Sequence, residues 1–318
     1  MEDFSMFMRT ALSPLLAAAL LAGCVTNEEE TPIVDALPTA ESVQIRLPES
    51  NARSVGQLAD YYVLTRQVTR DLNAGAAWVL LVVHTVVQFP ATSVDGDVYT
   101  WGPWSDGALD PAEWKLVVTA LGDDTYDWEL DGRNKTTPED GFLAVISGHA
   151  VAGDEPHRGS GDFTIDFDAG ELVNPIDNTP DTGRIDVTYD LENRDGTAAS
   201  LTMHAEGIDA LENPGSFDYG YAENQDGSGD FQFALDADVD DDGSAAEQAV
   251  IRSRWEATGA GRADAQLSAG DLDDLVVEVS ECWDEQFRRT FYTDSVEFSP
   301  SEGDAASCVY DTADLPDL

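Results

Sequence analysis

Positive charge is what this chain lacks most. Sixteen basic residues face 63 acidic ones, for a formal net charge of −47, and only Lys115 and Lys135 are lysines. A field of that sign repels nucleic acid and anionic lipid headgroups, so neither is bound through a general basic surface. Cysteine is scarce as well: Cys24, Cys282 and Cys308 are the three, and none stands in a metal-site spacing. The four histidines, His84, His149, His157 and His204, are scattered and form no HExxH or paired-ligand pattern. His84 lies in an apolar stretch and reads as a hydrogen-bonded core residue. P-loop and dinucleotide-binding glycine fingerprints are missing. Ser160 and Ser228 sit between glycines, but Arg158 and Asp226 take the first position of Gly-x-Ser-x-Gly, which excludes a nucleophile elbow. Long apolar runs are missing too. The run from Leu12 to Leu21 is too short to span a bilayer and fits a signal-peptide h-region.

That run closes on Leu20-Leu21-Ala22-Gly23-Cys24. The segment Leu21-Ala22-Gly23-Cys24 resembles the lipobox of bacterial lipoproteins. The resemblance implies that Cys24 becomes the mature N-terminus, carries lipid (palmitate among its acyl chains) on its sulfur and amine, and tethers the protein to a membrane. Val25 rather than Asp follows Cys24, which by the sorting rule of enteric bacteria implies the outer membrane. Met1-Glu2-Asp3 is a poor positive n-region, whereas Met8-Arg9-Thr10 is a better one, and the two starts stand about even.

Four segments follow. Residues 1–23 read as a lipoprotein signal peptide. Residues 24–53, with Glu28-Glu29-Glu30 and three prolines, read as a lipidated acidic tether. Residues 54–93 read as a helical segment capped by Ser54. Leu58, Tyr61, Tyr62, Leu64, Thr65, Val68 and Leu72 recur at three- and four-residue steps, Asn73 and Gly75 suggest a kink, and Pro90 ends the segment. A strand could also use the nearly all-apolar, β-branched run from Trp78 to Val87; if helical, it has to be buried on most sides.

Residues 94–318 read as an antiparallel β domain, and 54–318 as one domain. Segments such as Phe163-Thr164-Ile165-Asp166-Phe167 alternate, and Asp95-Gly96, Asp131-Gly132, Asp195-Gly196 and Asp226-Gly227 read as hairpin turns. About ten to twelve strands would make a large meander. The expected fold is mainly β, a half-barrel or barrel-like sheet curved around a long helix, straight or kinked at Asn73 and Gly75. The nearest analogy is the half-barrel of periplasmic lipoprotein carriers and their acceptors, at fold level only. Gly159-Ser160-Gly161-Asp162-Phe163 recurs as Gly227-Ser228-Gly229-Asp230-Phe231, which reads as two turns solved the same way. Trp101-Gly102-Pro103-Trp104 and Glu281-Cys282-Trp283-Asp284 weakly resemble uncharacterised myxobacterial lipoproteins, which carry no activity to transfer.

With Cys24 lipidated, Cys282 and Cys308 remain, and in an exported protein they read as a disulfide that pins the acidic C-terminal tail. On the chain-entropy model such a loop contributes about 3 kcal/mol. Asp238, Asp240 and Asp242, with Asp236 just before them, match the first half of a calcium loop. Ala249 stands where the bidentate Glu belongs, so an acidic hairpin tip is the better reading and calcium the lesser one. Trp101, Trp104, Trp114 and Trp128 cluster and could stack a ligand, although such residues more often fill a core.

The sequence therefore predicts a non-enzymatic, outer-membrane-anchored lipoprotein. Its partners would be the membrane through the lipid anchor, an apolar ligand or an envelope component, and not nucleic acid. The alternative is a hydrolase or carbohydrate-binding module acting on envelope polysaccharide, for which the acids are too many to single out a catalytic pair.

Overall fold

The computed structural model describes residues 31–39, 42, 58–105, 107–176, 182–193, 196–208, 215–237 and 245–315. Three α-helices are present among them: α1 (Thr31–Ala36), α2 (Asp60–Val87) and α3 (Phe167–Val173). The first seven strands are β1 (Ser93–Asp95), β2 (Val98–Trp104), β3 (Ala112–Gly122), β4 (Thr125–Asn134), β5 (Leu143–Val151), β6 (Ser160–Asp166) and β7 (Arg184–Asp190). They are followed by β8 (Ala199–Ile208), β9 (Gly215–Glu223), β10 (Gly229–Ala237), β11 (Glu247–Trp255), β12 (Gly261–Ala269), β13 (Val277–Trp283), β14 (Arg289–Asp294) and β15 (Glu302–Gly303).

The strands form an antiparallel sheet whose spatial order is the chain order. That is the meander the turn spacing predicts. The ladder has two ends, β1 and β15, so it is open in its hydrogen bonding. Contacts divide the chain into two compact units. The first comprises Met1–Gln44, Asp71–Glu192 and Gly207–Leu211, and the second Ile45–Arg70, Asn193–Glu206 and Glu212–Leu318.

In the first unit, period-two alternation gives one buried sheet face. Leu116 and Val118 of β3, Tyr126, Trp128 and Leu130 of β4, Ile146 and Ala150 of β5, and Phe163 of β6 are buried on it. Part of the stretch read as a tether also belongs to this core. Ile33, Ala36 and Leu37 are buried, because their three- and four-residue spacing gives α1 one apolar side. His157 fixes its end, donating its backbone amide to Asp35 O (2.7 Å) while its ring nitrogen meets Leu37 O (3.0 Å).

Helix α2 differs from its expected form. It begins at Asp60 and is helical without interruption through Asn73 and Gly75. Helix propensity is a weak local preference, about 1 kcal/mol for glycine, and it does not break the helix here. Ser54, the expected cap, lies outside the described residues.

Asp131-Gly132 is the other departure. It is no turn but lies inside β4, with Gly132 opposite Trp114 and Asp131 opposite Lys115. A Cβ on Gly132 would come within 2.8 Å of the Trp114 ring. On the other face, Asp131 pairs with Lys115 Nζ at 2.8 Å. Asp95-Gly96 and Asp226-Gly227 do make turns, and Gly96 and Gly227 take the positive φ that such turns need.

The same device recurs in both units: an aromatic ring lies over a glycine on the neighbouring strand. Trp128 faces Gly148, Tyr189 faces Gly161, Trp255 faces Gly229 and Trp283 faces Gly261. The echo Gly159–Phe163 and Gly227–Phe231 is thus a repeated packing solution, since Gly161 and Gly229 each leave room for a ring from the next strand. A Cβ on Gly148 would lie 2.5 Å from Trp128 Cε2. Gly148→Ala should therefore overpack the first unit and cost about 1–3 kcal/mol in urea denaturation. An unchanged midpoint would contradict this packing.

Candidate functional site

Two polar constellations stand out in the second unit, one on each face of its sheet. On the inner face, Glu281 of β13 has no exposed surface. Its carboxylate accepts the backbone amides of Asp60 (3.0 Å) and Tyr61 (2.6 Å), so a strand residue caps the N-terminus of α2. Arg289 Nε also donates to it at 2.5 Å, and Arg289 Nη2 reaches Asp60 at 2.6 Å. A register break in the β13–β14 ladder sets Arg289 opposite Trp283, which brings the guanidinium to the Glu281 side of the sheet. Burial pushes the Glu281 carboxyl above the usual carboxylate range, and the amides and Arg289 pull it partly back.

The rest of the helix seat combines aromatic contacts with one buried hydroxyl pair. Tyr62 stacks on Phe287 with ring centroids 4.2 Å apart and lies 5.9 Å from the Trp283 ring. Thr65 meets Ser253 of β11 hydroxyl to hydroxyl at 2.6 Å. Burial drives the Tyr61 phenol up to about 12. Every oxygen of Glu281 is thus taken up in holding a helix, and the group is closed to substrate.

On the outer face, Arg254 and Arg262 are direct cross-strand partners, as are Arg252 and Asp264. Like charges placed opposite one another are unfavourable unless acids intervene. Asp264 does so, at 2.7 Å from Arg262 and 3.6 Å from Arg254, and Asp230 pairs with Arg252 at 2.6 Å. Ser280 donates to Asp264 at 2.6 Å. The predicted bridge between Cys282 and Cys308 is present, with Cα atoms 5.5 Å apart, and it starts the C-terminal segment across this face.

All four tryptophans named from the sequence project from one face of β2–β4. Trp104 and Trp114 are cross-strand partners and half-buried. Trp101 and Trp128 are buried, and Trp101 Nε1 donates to Phe89 O at 2.6 Å. Trp128 Nε1 and the Tyr189 hydroxyl, on residues only 1% and 2% exposed, have no hydrogen-bond partner among the described residues. Register places both on the same face, Trp128 over Gly148 and Tyr189 over Gly161, with Ala150 between them opposite Gly161. Burial raises the Tyr189 phenol far above its ordinary value, and Asp162 adds to the rise.

Of the acidic tip, Asp236 pairs with Ser216 and Gln248 within its ladders. Asp238, Asp240 and Asp242 lie outside the described residues, as does Cys24. Among the described residues, no three His, Cys, Asp or Glu side chains are grouped to hold a metal ion, and no helix is long and apolar enough to cross a membrane. His149 and His204 make exposed contacts with Asp127 (2.7 Å) and Asp218 (2.8 Å).

Sequence reasoning missed Glu281, Arg289 and the arginine trio. One signal for the trio was legible. Arg252 and Arg254 alternate in Val250-Ile251-Arg252-Ser253-Arg254-Trp255, which puts two scarce cations on one strand face. No protein-family model, curated protein or solved structure matches the chain.

Proposed function

We propose that this chain is an outer-membrane lipoprotein, anchored through Cys24, with a non-catalytic β domain that binds an apolar ligand carrying a hydrogen-bond acceptor. The half-barrel curvature expected from the sequence belongs to this reading, as does export with the domain facing the periplasm or the cell surface. The observation that carries ligand binding is the pair of buried donors, Trp128 Nε1 and the Tyr189 hydroxyl, unpartnered among the described residues and set over the small residues Gly148, Ala150 and Gly161. A buried donor without a partner costs about 1–3 kcal/mol, so two on one apolar face are an expensive arrangement unless an acceptor arrives. The lipobox-like Leu21-Ala22-Gly23-Cys24 supports the anchor.

Two measurements test the two halves of this reading. Cys24→Ser should abolish palmitate labelling and detergent partitioning, and unchanged membrane association would sink the anchor. Tyr189→Phe deletes an unpaired hydroxyl at nearly constant shape, so the ligand-free protein should gain about 1 kcal/mol. The same variant should bind an acceptor-bearing ligand more weakly. A loss of stability in Tyr189→Phe would show that the hydroxyl has a structural partner.

The half-buried Trp104–Trp114 pair favours one further reading, stacking of an envelope polysaccharide. Soluble glycans that quench tryptophan fluorescence in wild type but not in Trp104→Ala would establish it in place of the first.

A further inference from the structure

The C-terminal segment is seated on the outer face of β10–β13 through its main chain. From Cys308, bridged to Cys282 on β13, it crosses successive strands. Arg262 of β12 donates to Tyr310 O at 3.4 Å and to Thr312 Oγ1 at 2.8 Å. Arg254 of β11 donates to Asp311 O and lies over the Tyr310 ring, 4.9 Å from its centroid. Arg252 donates to Asp314 O at 3.1 Å, and Asp264 accepts the Ala313 amide at 2.9 Å. Three of the chain's sixteen basic residues are thus committed to one strip, and a short exposed segment keeps Arg262 only 5% exposed.

The contacts have a definite character. Three carbonyls and one amide of the main chain are read, and one side-chain hydroxyl. No carboxylate of the segment is used in these bonds. The strip therefore recognises a peptide main chain rather than a particular sequence. Its cations favour an acidic one, against the sign of the rest of the molecule. Arg254 Nε, buried and without a partner among the described residues, marks donor capacity that the described part of the segment leaves unused.

We infer that the outer face of β10–β13 is a peptide-binding trough closed by the chain's own segment Tyr310–Asp314, and that reduction of Cys282–Cys308 opens it to an acidic peptide. The reductant is a dithiol. Its thiolate attacks Sγ of Cys308, the half-buried partner, since Cys282 is fully buried. A mixed disulfide forms and Cys282 leaves as a thiolate that takes up a proton. The second thiol of the donor then attacks the mixed disulfide and releases Cys308 as a thiol. Two electrons and two protons pass to the protein, and the donor departs as a disulfide. Without the bridge the segment keeps only its polar contacts, and the loop-closure advantage of the cross-link is gone.

Arginine modification by phenylglyoxal, mapped by mass spectrometry, reads the opening on the full chain. Arg262 should be unreactive in the oxidised protein and reactive after dithiothreitol treatment or in Cys308→Ser. A labelled synthetic peptide of Val309–Leu315 should then bind the reduced protein and Cys308→Ser saturably and not the oxidised protein, with binding lost in Cys308→Ser carrying Arg254→Gln. Arg262 that stays protected after reduction, with circular dichroism showing a folded protein, would overturn the gate. Reactive Arg262 without peptide binding would overturn the trough.

Discussion

Glu281→Ala should lower the unfolding free energy by about 3–5 kcal/mol, the range for removing one partner of a buried ion pair. The substitution leaves Arg289, 8% exposed, with the more exposed Asp60 at 2.6 Å and Glu302 at 4.0 Å, and it strips the acceptor from two amides at the start of α2. Urea denaturation followed by tryptophan fluorescence would read the loss, and a change below 1 kcal/mol would remove Glu281 as the cap of the helix. The pH dependence has a definite sign. The folded-state pKa of Glu281 is raised by burial, so its contribution to stability is complete below the unfolded value of about 4.3 and is lost as pH rises through the folded value. Glu281→Gln lacks that titration. Its stability relative to wild type should therefore improve on going from pH 4 to neutrality, and a difference that is flat with pH would contradict the raised value.

Trp283→Ala carries the second large expectation, a loss of about 3–5 kcal/mol, typical for a buried tryptophan. The ring packs against Gly261 and faces Tyr62, and its Nε1 donates to Gly259 O at 3.0 Å. Alanine would remove the ring from the seat of α2, and the backbone of Gly261 has no side chain to fill the space. Trp283→Phe, which keeps most of the ring volume but not the donor, should cost less than half as much. Equal losses in the two variants would place the energy in the hydrogen bond rather than in packing.

The alternation of Ile185-Asp186-Val187-Thr188-Tyr189 or Phe231-Gln232-Phe233 made their strands legible, because one buried face imposes period two on any sequence that serves it. The bridge between Cys282 and Cys308 was legible by elimination once Cys24 was set aside. Asp131-Gly132 was misread because an Asp-Gly pair carries the same local signal in a turn and under an aromatic ring. Only the partner strand, with Trp114, tells the two apart. The capping of α2 was illegible for a different reason. Ser54 is the local candidate, whereas the group that meets Asp60 stands 221 residues away in Glu281, and no local pattern records such a pairing. The donor pair Trp128 and Tyr189 was hidden likewise, since a missing partner is visible only when the neighbours are in place.

The central claim, an apolar face that takes an acceptor-bearing ligand, is tested most directly by titrating the purified protein with cis-parinaric acid, whose carboxyl and polyene chain combine an acceptor with an apolar body. The account predicts saturable binding, with tryptophan fluorescence quenched as the polyene fills, and weaker binding in both Tyr189→Phe and Trp128→Phe. Absence of saturable binding, or binding unaltered by both substitutions, would contradict it.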